Sequence, residues 1–490
     1  MKNYKKLELI NKKTGIMESI AASLMWDKET YMPVGSISEK AEQLSLINDM
    51  VYDMFVGSDM SVLLQKSKTE NLDNWQLRNH ALTKKILLEK KCVNPTLLSK
   101  FTKISSLCCQ KWKEARKKQD FSIVEPLLSE VINLAKEINK SKANALGIDL
   151  YDAALDSYNP QSKSVDIDNI FNELQPFLSK VISENSNKKF QYFDKSLSRS
   201  LQAKISTVLM KNLGLNLDKA RLDASAHPFC IGRIEDVRLT TNYEELDFTK
   251  AIWATIHETG HGLYNQNLPK KWIYQPVGNA LGYAVHESQS LFFEKQICKT
   301  KEFCKYIISV IKDICKDCED LNPDNLYYYI NNIKPSLIRV YADEVTYHLH
   351  VIIRYKIEKL IFSGEITTTD IPAIWNEYYK KYLNIIPKND SEGCMQDIHW
   401  YSGLFGYFPN YSLGAIISAQ LRQKMEQDIP NISDLILKGD FVPIVCWLNK
   451  KVHSTGSFYP NADELLKKIT GKKLGITDFK NYLSKKYFFV

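Results

Sequence analysis

The chain has 490 residues, of which 44% are hydrophobic and 25% charged, an ordinary balance for a folded protein. Its 65 basic and 57 acidic side chains leave a net charge of +8 that no tail concentrates, so neither nucleic-acid nor membrane partners are indicated. No secretory signal and no apolar run of about 18 residues is found, which predicts a cytoplasmic protein.

Most of the chain is predicted to be helical, because apolar residues recur at every third or fourth position. This spacing is clearest over 124–138, 167–182 and 335–360. Pro176 should kink or interrupt the second of these helices, since proline has no amide hydrogen to donate. Alternation typical of a strand is best developed over 234–243.

Ten cysteines are scattered along the chain without a disulfide framework. Cys315 and Cys318 form a C-x-x-C, a spacing found in structural zinc sites and in redox pairs. Because no second pair follows at zinc-finger spacing, we predict ordinary helix cysteines with reduced thiols.

His257-Glu258-Thr259-Gly260-His261 reads H-E-x-x-H and lies in a further helical stretch, 248–263. Residues i and i+4 share one face of a helix, so both imidazoles can bind one metal ion. Glu258 can then contact a water on that metal as a general base, an arrangement typical of zinc peptidases. The simpler alternative is a solvated helix with two unrelated histidines.

A catalytic zinc site needs a third protein ligand and one position for water. The motif that supplies a third histidine is excluded, because positions 264 and 267 hold tyrosine and asparagine. A glutamate from a later helix is the other common solution. Glu287 is the first candidate and Glu294, two turns further on, is the next; His286 is an alternative ligand or a supporting group. The predicted ligands are His257, His261 and Glu287, for Zn²⁺ with Co²⁺ as a substitute.

Six segments in chain order carry a resemblance to a known family. They are His227-Pro228-Phe229, Asp236-Val237-Arg238-Leu239-Thr240, the H-E-x-x-H segment, His286-Glu287-Ser288-Gln289, Ile338-Arg339-Val340-Tyr341-Ala342-Asp343 and the segment from Gly393 to Trp400. They match the HPF, DxRxT, HExxH, HESQ, IRxxAD and GxxQDxHW motifs of the thermostable (Taq-type) zinc metallocarboxypeptidases, gluzincin-like HExxH peptidases. The segment 26–33 also resembles the N-terminal region of that family. No motif residue is missing.

The resemblance implies a zinc-dependent carboxypeptidase of broad specificity, with the metal on His257, His261 and Glu287. Its substrates would be peptides with a free C-terminus, and it would be a homodimer. Arginine suits a terminal carboxylate because its planar fork binds both oxygens. Arg238 and Arg339 are the candidates, although Arg339 could instead pair with Asp343 on one helix.

Further candidates lie in or just after the same motifs. The tetrahedral oxyanion needs a donor besides the metal, and the candidates are His399, Tyr407 and Tyr411. Asp236 and Gln396 are predicted substrate contacts. His227 is expected to shape the end of the cleft, the alternative being a plain turn with a buried Phe229.

No linker or repeat divides the chain, so we predict a single domain over 1–490. The helical half 1–220 would be scaffold and cleft wall, 221–415 would carry the active-site motifs and 416–490 would be a C-terminal helical segment. The expected fold is all-α, with a small β-sheet near the active site and two lobes flanking a deep substrate cleft.

Two other functions stay open. An oligopeptidase or dipeptidyl carboxypeptidase on a related helical fold would use the same metal chemistry. A non-catalytic helical protein with structural zinc would have a closed fourth ligand and no need for Glu258.

Overall fold

The computed structural model describes residues 1–57, 59–186 and 196–488, and they form the mainly helical fold with a small sheet that the sequence predicts. The helices before the sheet are α1 (Lys2–Thr30), α2 (Ile37–Val56), α3 (Met60–Ser67), α4 (Asn74–Cys92), α5 (Pro95–Lys118), α6 (Glu125–Leu146), α7 (Leu150–Asp156), α8 (Ser164–Asn185) and α9 (Arg199–Asn212). Those after it are α10 (Phe248–Gln266), α11 (Gly282–Leu291), α12 (Lys301–Ile314), α13 (Pro323–Ile330), α14 (Thr346–Ser363), α15 (Ile371–Leu383), α16 (Pro409–Asp428), α17 (Ile432–Lys438), α18 (Val442–Lys451), α19 (Ala462–Thr470) and α20 (Thr477–Tyr487). Across the described residues, no helix is both long and apolar enough to cross a bilayer.

The sheet has three strands, in the order β1-β3-β2. These are β1 (Ala220–Ala224), β2 (Cys230–Arg233) and β3 (Asp236–Thr241). The central β3, which lies within the predicted strand, pairs parallel with β1 and antiparallel with β2. Gly232 has φ +106°, and a Cβ there would collide with the carbonyl oxygen of Asp236, so β2 requires glycine where it approaches β3 next to the turn. The sheet packs on α10 and sets the D-x-R-x-T segment beside the H-E-x-x-H helix.

The chain forms two compact units. The first contains the described residues of Met1–Lys90, Gln191–Ile330 and Ile417–Lys473, and the second those of Lys91–Phe190, Asn331–Ile416 and Leu474–Val490. The sheet, α10 and α11 belong to the first unit, and α14 belongs to the second. The division at 220 and 415 stays a prediction from the sequence.

Helices α10 and α11 approach each other closely at the H-E-x-x-H motif. A Cβ on Gly260 would lie 2.5 Å from the carbonyl oxygen of Gln289 and 2.6 Å from the Cα of Ser290. Glycine therefore allows the two backbones to touch, which brings the glutamate of the second helix within reach of the histidines of the first. Asp247 fixes the start of α10, because its carboxylate accepts from the backbone N–H of Thr249.

Pro176 does not interrupt its helix, and α8 runs through it from Ser164 to Asn185. Leu174 and Leu178, on either side of the proline, are fully buried. Their packing outweighs the one backbone hydrogen bond that proline removes.

The predicted helix over 335–360 begins later than the apolar spacing indicates, at Thr346. The carboxylate of Asp343 accepts from the backbone N–H groups of Val345 and Thr346, both at 2.9 Å, and so caps the first turn. Arg339 lies before this cap in a short 3-10 turn, so the alternative pairing with Asp343 on one helix is wrong.

The prediction of reduced helix cysteines is wrong for the C-x-x-C. Helix α12 ends at Ile314, and Cys315 and Cys318 form a disulfide across the 3-10 turn that follows. Their Cα atoms lie 5.5 Å apart, within the range that a disulfide spans. Apolar spacing carries no information on such a turn.

Candidate metal centre

Three of the predicted ligands meet in the first unit. His257 and His261 lie one turn apart on α10, and Glu287 lies on α11. One ligand atom from each falls within 4.8 Å of the other two. Oε2 of Glu287 is 3.4 Å from Nε2 of His261 and 3.8 Å from Nε2 of His257. In the part of the chain that the structure describes, this is the one group of three or more such side chains placed to hold a metal ion.

The donor set fits a divalent cation such as zinc. Two imidazole nitrogens and one carboxylate oxygen are ligands that zinc prefers, and three protein ligands leave a position for water. The charges agree: burial alone would lower the pKa of His257, but Glu287 and Glu294 raise it to about 9. Negative potential that stabilises an extra proton also stabilises a metal cation.

Glu258 lies beside the ligands on α10 and is 6% exposed. Among the described residues, nothing donates a hydrogen bond to its carboxylate. Burial raises the pKa of Glu258 above its ordinary value, which makes it a stronger proton acceptor. Buried carboxylates are usually hydrogen-bonded, so this one is available for a bound water or substrate.

Two other groups lie directly behind the histidine ligands. Oε2 of Glu294 is 2.8 Å from Nδ1 of His257. The ring of His286 stacks on that of His261 at 4.3 Å, and its Nε2 is 3.0 Å from Oδ1 of Asn265. The sequence named Glu294 and His286 as alternative ligands, and the structure places each against a ligand instead. The signal for Glu294 is its position seven residues after Glu287, on the same helix face.

Arg238 and Asp236, two predicted substrate-binding residues on β3, form an ion pair with two parallel hydrogen bonds. Nε and Nη2 of Arg238 each donate to one oxygen of Asp236, both at 2.9 Å. The indole of Trp26 lies against two guanidinium groups, with Cζ of Arg238 at 4.6 Å and Cζ of Arg221 at 4.8 Å. The N-terminal segment therefore holds Arg238 by cation–π contact.

His227 lies in the exposed turn between β1 and β2. Its carbonyl oxygen accepts from the hydroxyl of Thr240 at 3.2 Å, so its backbone is held against β3. Phe229 is half-buried, which differs from the buried ring of the plain-turn alternative.

A second cluster of predicted residues lies in the second unit, around Asp397. Arg339 donates to Oδ1 of Asp397 through Nε and Nη2, at 3.1 and 2.7 Å. Arg354 donates to Oδ2 at 2.7 and 2.5 Å and to Gln396 at 2.8 Å. Burial alone would raise the pKa of Asp397, but the two guanidinium groups hold it well below its usual range. Arg354 was missed in the sequence, where its only signal is a cation in the apolar face of a helix.

The three predicted oxyanion donors also meet in the second unit. Nε2 of His399 is 3.2 Å from the hydroxyl of Tyr411, and the rings of His399 and Tyr407 are 5.5 Å apart. Burial lowers the pKa of His399 to about 3, so its imidazole is neutral at physiological pH.

Glu358, which the sequence analysis did not single out, ties down the segment that carries these donors. Its buried carboxylate accepts from the hydroxyl of Tyr151 and Nε1 of Trp400, both at 2.8 Å, and from the backbone N–H of Gly406 at 2.7 Å. Burial raises the pKa of Glu358 to about 7. An isolated glutamate on a helix gives no sequence signal of such contacts.

Comparison with known proteins gives matches over nearly the whole chain. The family model for the carboxypeptidase Taq (M32) metallopeptidases matches residues 6–487. Carboxypeptidase 1 of Bacillus subtilis is 36% identical over 480 residues, which cover 96% of this chain and 95% of that protein. Thermostable carboxypeptidase 1 of Pyrococcus furiosus is 34% identical over 474 residues, covering 95% and 94%. The solved structure of Trypanosoma cruzi metallocarboxypeptidase 1 has a TM-score of 0.96 at 32% identity, over 99% of both chains.

Proposed function

Because the chain belongs to the carboxypeptidase Taq (M32) metallopeptidase family, it is a metallocarboxypeptidase that acts on peptides with a divalent metal, and we propose that the metal is zinc, held by His257, His261 and Glu287. We further propose Glu258 as the general base. The observation that carries the proposal is a two-histidine, one-glutamate donor set beside a buried carboxylate that lacks a donor among the described residues.

The chemistry follows from these side chains. When bound, zinc lowers the pKa of a coordinated water to about 7 and polarises a carbonyl. Glu258 takes a proton from the attacking water on its carboxylate and delivers it to the leaving amine. The raised pKa of Glu258 favours the first transfer, because the carboxylate accepts the proton readily, and the carboxyl then holds that proton until the leaving amine takes it.

For the terminal carboxylate, we propose the two motif arginines. Arg238 uses Nε and Nη2 on Asp236, and its side chain is 23% exposed, so part of the fork can bind a ligand. Arg339 is buried, but two guanidinium groups share the single carboxylate of Asp397, which leaves excess positive charge in that cluster. Asp236 would orient the guanidinium group of Arg238, and Gln396 that of Arg339. His227 would contact the substrate from the turn in which it lies.

His399, Tyr407 and Tyr411 stay the candidates for donors to the oxyanion. Tyrosine hydroxyls donate at neutral pH, and a neutral imidazole carries one N–H. All the proposed contacts are to the carboxylate and carbonyl groups that every peptide shares, which supports broad specificity. The homodimer and the cytoplasmic location stay predictions.

The test uses one N-blocked dipeptide, one longer peptide with a free C-terminus and the same longer peptide with a C-terminal amide. Each is incubated with the enzyme, with and without a chelator, and the products are followed by mass. Single residues should be released from the free C-terminus only, chelation should stop the reaction and added zinc should restore it. Release of dipeptides or internal fragments would favour the oligopeptidase alternative. A zinc-loaded protein without any product would favour a structural metal.

A further inference from the structure

His257 can present Nε2 to a metal only if its ring is held in one rotation and one tautomer. Glu294 meets both needs, because its Oε2 lies 2.8 Å from Nδ1, the ring nitrogen that does not face Glu287. The second oxygen of Glu294 is also engaged, at 2.5 Å from Nζ of Lys295. The carboxylate is thus fixed at both oxygens.

The backbone around Glu294 departs from an ordinary α-helix. Helix α11 ends at Leu291, and Phe292–Ile297 form a π-helical turn that contains Glu294. Phe292, Phe293 and Ile297 are fully buried and hold this turn in place. Wide turns of this kind cost stability and are frequent at functional sites. Here the turn carries the carboxylate that contacts His257 through Nδ1.

The other histidine ligand is supported differently. Within the described residues, the buried Nδ1 of His261 has no hydrogen-bond partner. Its ring stacks instead on His286, with an angle of 15° between the two planes. Stacking restrains ring rotation but does not select a tautomer, so among the described residues a charged acceptor on Nδ1 is provided for His257 and not for His261.

We propose that Glu294 is a positioning residue for the metal site, an inference that rests on the proposed function. By accepting the Nδ1–H of His257, it fixes the tautomer and rotation that present Nε2 and raises the basicity of that nitrogen. Carboxylate–histidine–metal arrangements act in this way, and loss of the outer carboxylate typically weakens metal binding about 10- to 100-fold.

The experiment measures zinc affinity of the metal-free protein by competition with a chromophoric chelator. Glu294→Gln keeps a neutral acceptor and should weaken zinc binding roughly 10-fold, whereas Glu294→Ala should approach 100-fold. Glu244→Gln is the matched control, because it removes an exposed ion pair with Lys250 in the same unit and should leave affinity unchanged. The melting temperature of each metal-free variant shows whether the fold is retained.

Two further measurements separate positioning from a structural effect. Glu294→Ala combined with Lys295→Met removes both charges of the pair and should weaken zinc binding as strongly as Glu294→Ala alone. In the zinc-loaded wild-type protein, nuclear magnetic resonance should show a slowly exchanging Nδ1–H on His257, which disappears in Glu294→Ala.

Two results would overturn the inference alone. They are a folded Glu294→Ala whose zinc affinity lies within about twofold of a zinc-binding wild type, or a zinc-loaded wild type without that imidazole proton. A wild-type protein that binds no zinc at all would contradict the proposed function itself, and the inference with it.

Discussion

The two buried charged clusters differ in how their polar atoms are satisfied. In the second unit, Asp397 accepts four hydrogen bonds from Arg339 and Arg354, so its carboxylate is saturated by its own fold. In the first unit, ligand atoms of two histidines and a glutamate converge, and Glu258 has no donor among the described residues. Native folds satisfy nearly all their buried polar groups. The saturated carboxylate of Asp397 therefore stabilises its unit, while the carboxylate of Glu258 is available to a group from outside.

The largest effect is expected from a change at Glu258 that leaves the three metal ligands in place. Glu258→Gln keeps the shape of the side chain but removes the proton acceptor, so kcat should fall about 10³-fold. Zinc content should stay equal to that of the wild type, because glutamine at 258 removes no ligand. Metal analysis and steady-state kinetics check both halves, with Glu244→Gln as the unaffected control. Wild-type turnover in a zinc-loaded Glu258→Gln would contradict the role.

The saturated cluster should respond in stability instead. Asp397→Asn leaves two buried guanidinium groups without their carboxylate, and breaking a buried pair costs about 3–5 kcal/mol. Chemical denaturation should show this loss while zinc affinity is unchanged. Asp168→Asn removes a half-exposed ion pair with Lys359 and should cost less than about 1 kcal/mol. Similar losses in the two variants would show that the saturation of Asp397 contributes little.

The contribution of Glu358 to the stability of the second unit should depend on pH. Burial raises its pKa from 4.5 to about 7, so the folded state retains a proton that the unfolded state releases between those values. Its contribution to stability is present below pH 4.5 and is lost as the pH rises through 7. Between about pH 5 and about pH 8, the difference in unfolding free energy between wild type and Glu358→Gln should shift by about 2–3 kcal/mol in favour of the variant.

Denaturation midpoints measured across this pH range check the shift. Glu173→Gln, at an exposed glutamate that pairs with Lys480 in the same unit, should keep the pH profile of the wild type. A Glu358→Gln profile parallel to that of the wild type would contradict a raised pKa in the folded protein.

The smallest effect is expected from a change at Arg238 on β3. Arg238→Met should raise KM about 10-fold for peptides with a free C-terminus, because one charge-assisted contact is worth about 1.5–3 kcal/mol. Zinc affinity and the melting temperature should change little. Arg233 lies on the neighbouring strand β2 and pairs with Glu18 of α1, so Arg233→Met serves as the control. An unchanged KM would indicate that Arg339, and not Arg238, binds the terminal carboxylate of the substrate.

The sequence predicts what depends on local spacing. The i and i+4 geometry of one helix is enough to bring His257 and His261 together, and the ligand count of zinc points to a later glutamate. The start of α14 could not be predicted from apolar spacing, because the Asp343 cap overrides it.

Contacts that cross between elements were also out of reach. The hydrogen bond from His257 to Glu294 joins α10 to a π-helical turn, and Arg354 reaches Asp397 across 43 positions. Spacing places Glu294 on the helix face of Glu287 but does not indicate that it contacts His257. No spacing links Arg354 to Asp397, since both contacts are set by packing. The hydrogen bond that Glu358 accepts from the backbone N–H of Gly406 likewise depends on packing between elements.

X-ray absorption at the zinc edge of the purified, zinc-loaded enzyme shows directly which side chains bind the metal. We expect one zinc per chain with two imidazole ligands at about 2.0–2.1 Å, oxygen ligands at about 2.0–2.2 Å and no sulfur. Glu287→Gln should weaken binding and change the oxygen shell. Sulfur scattering near 2.3 Å, or a shell closed by four protein ligands, would contradict a catalytic zinc on His257, His261 and Glu287.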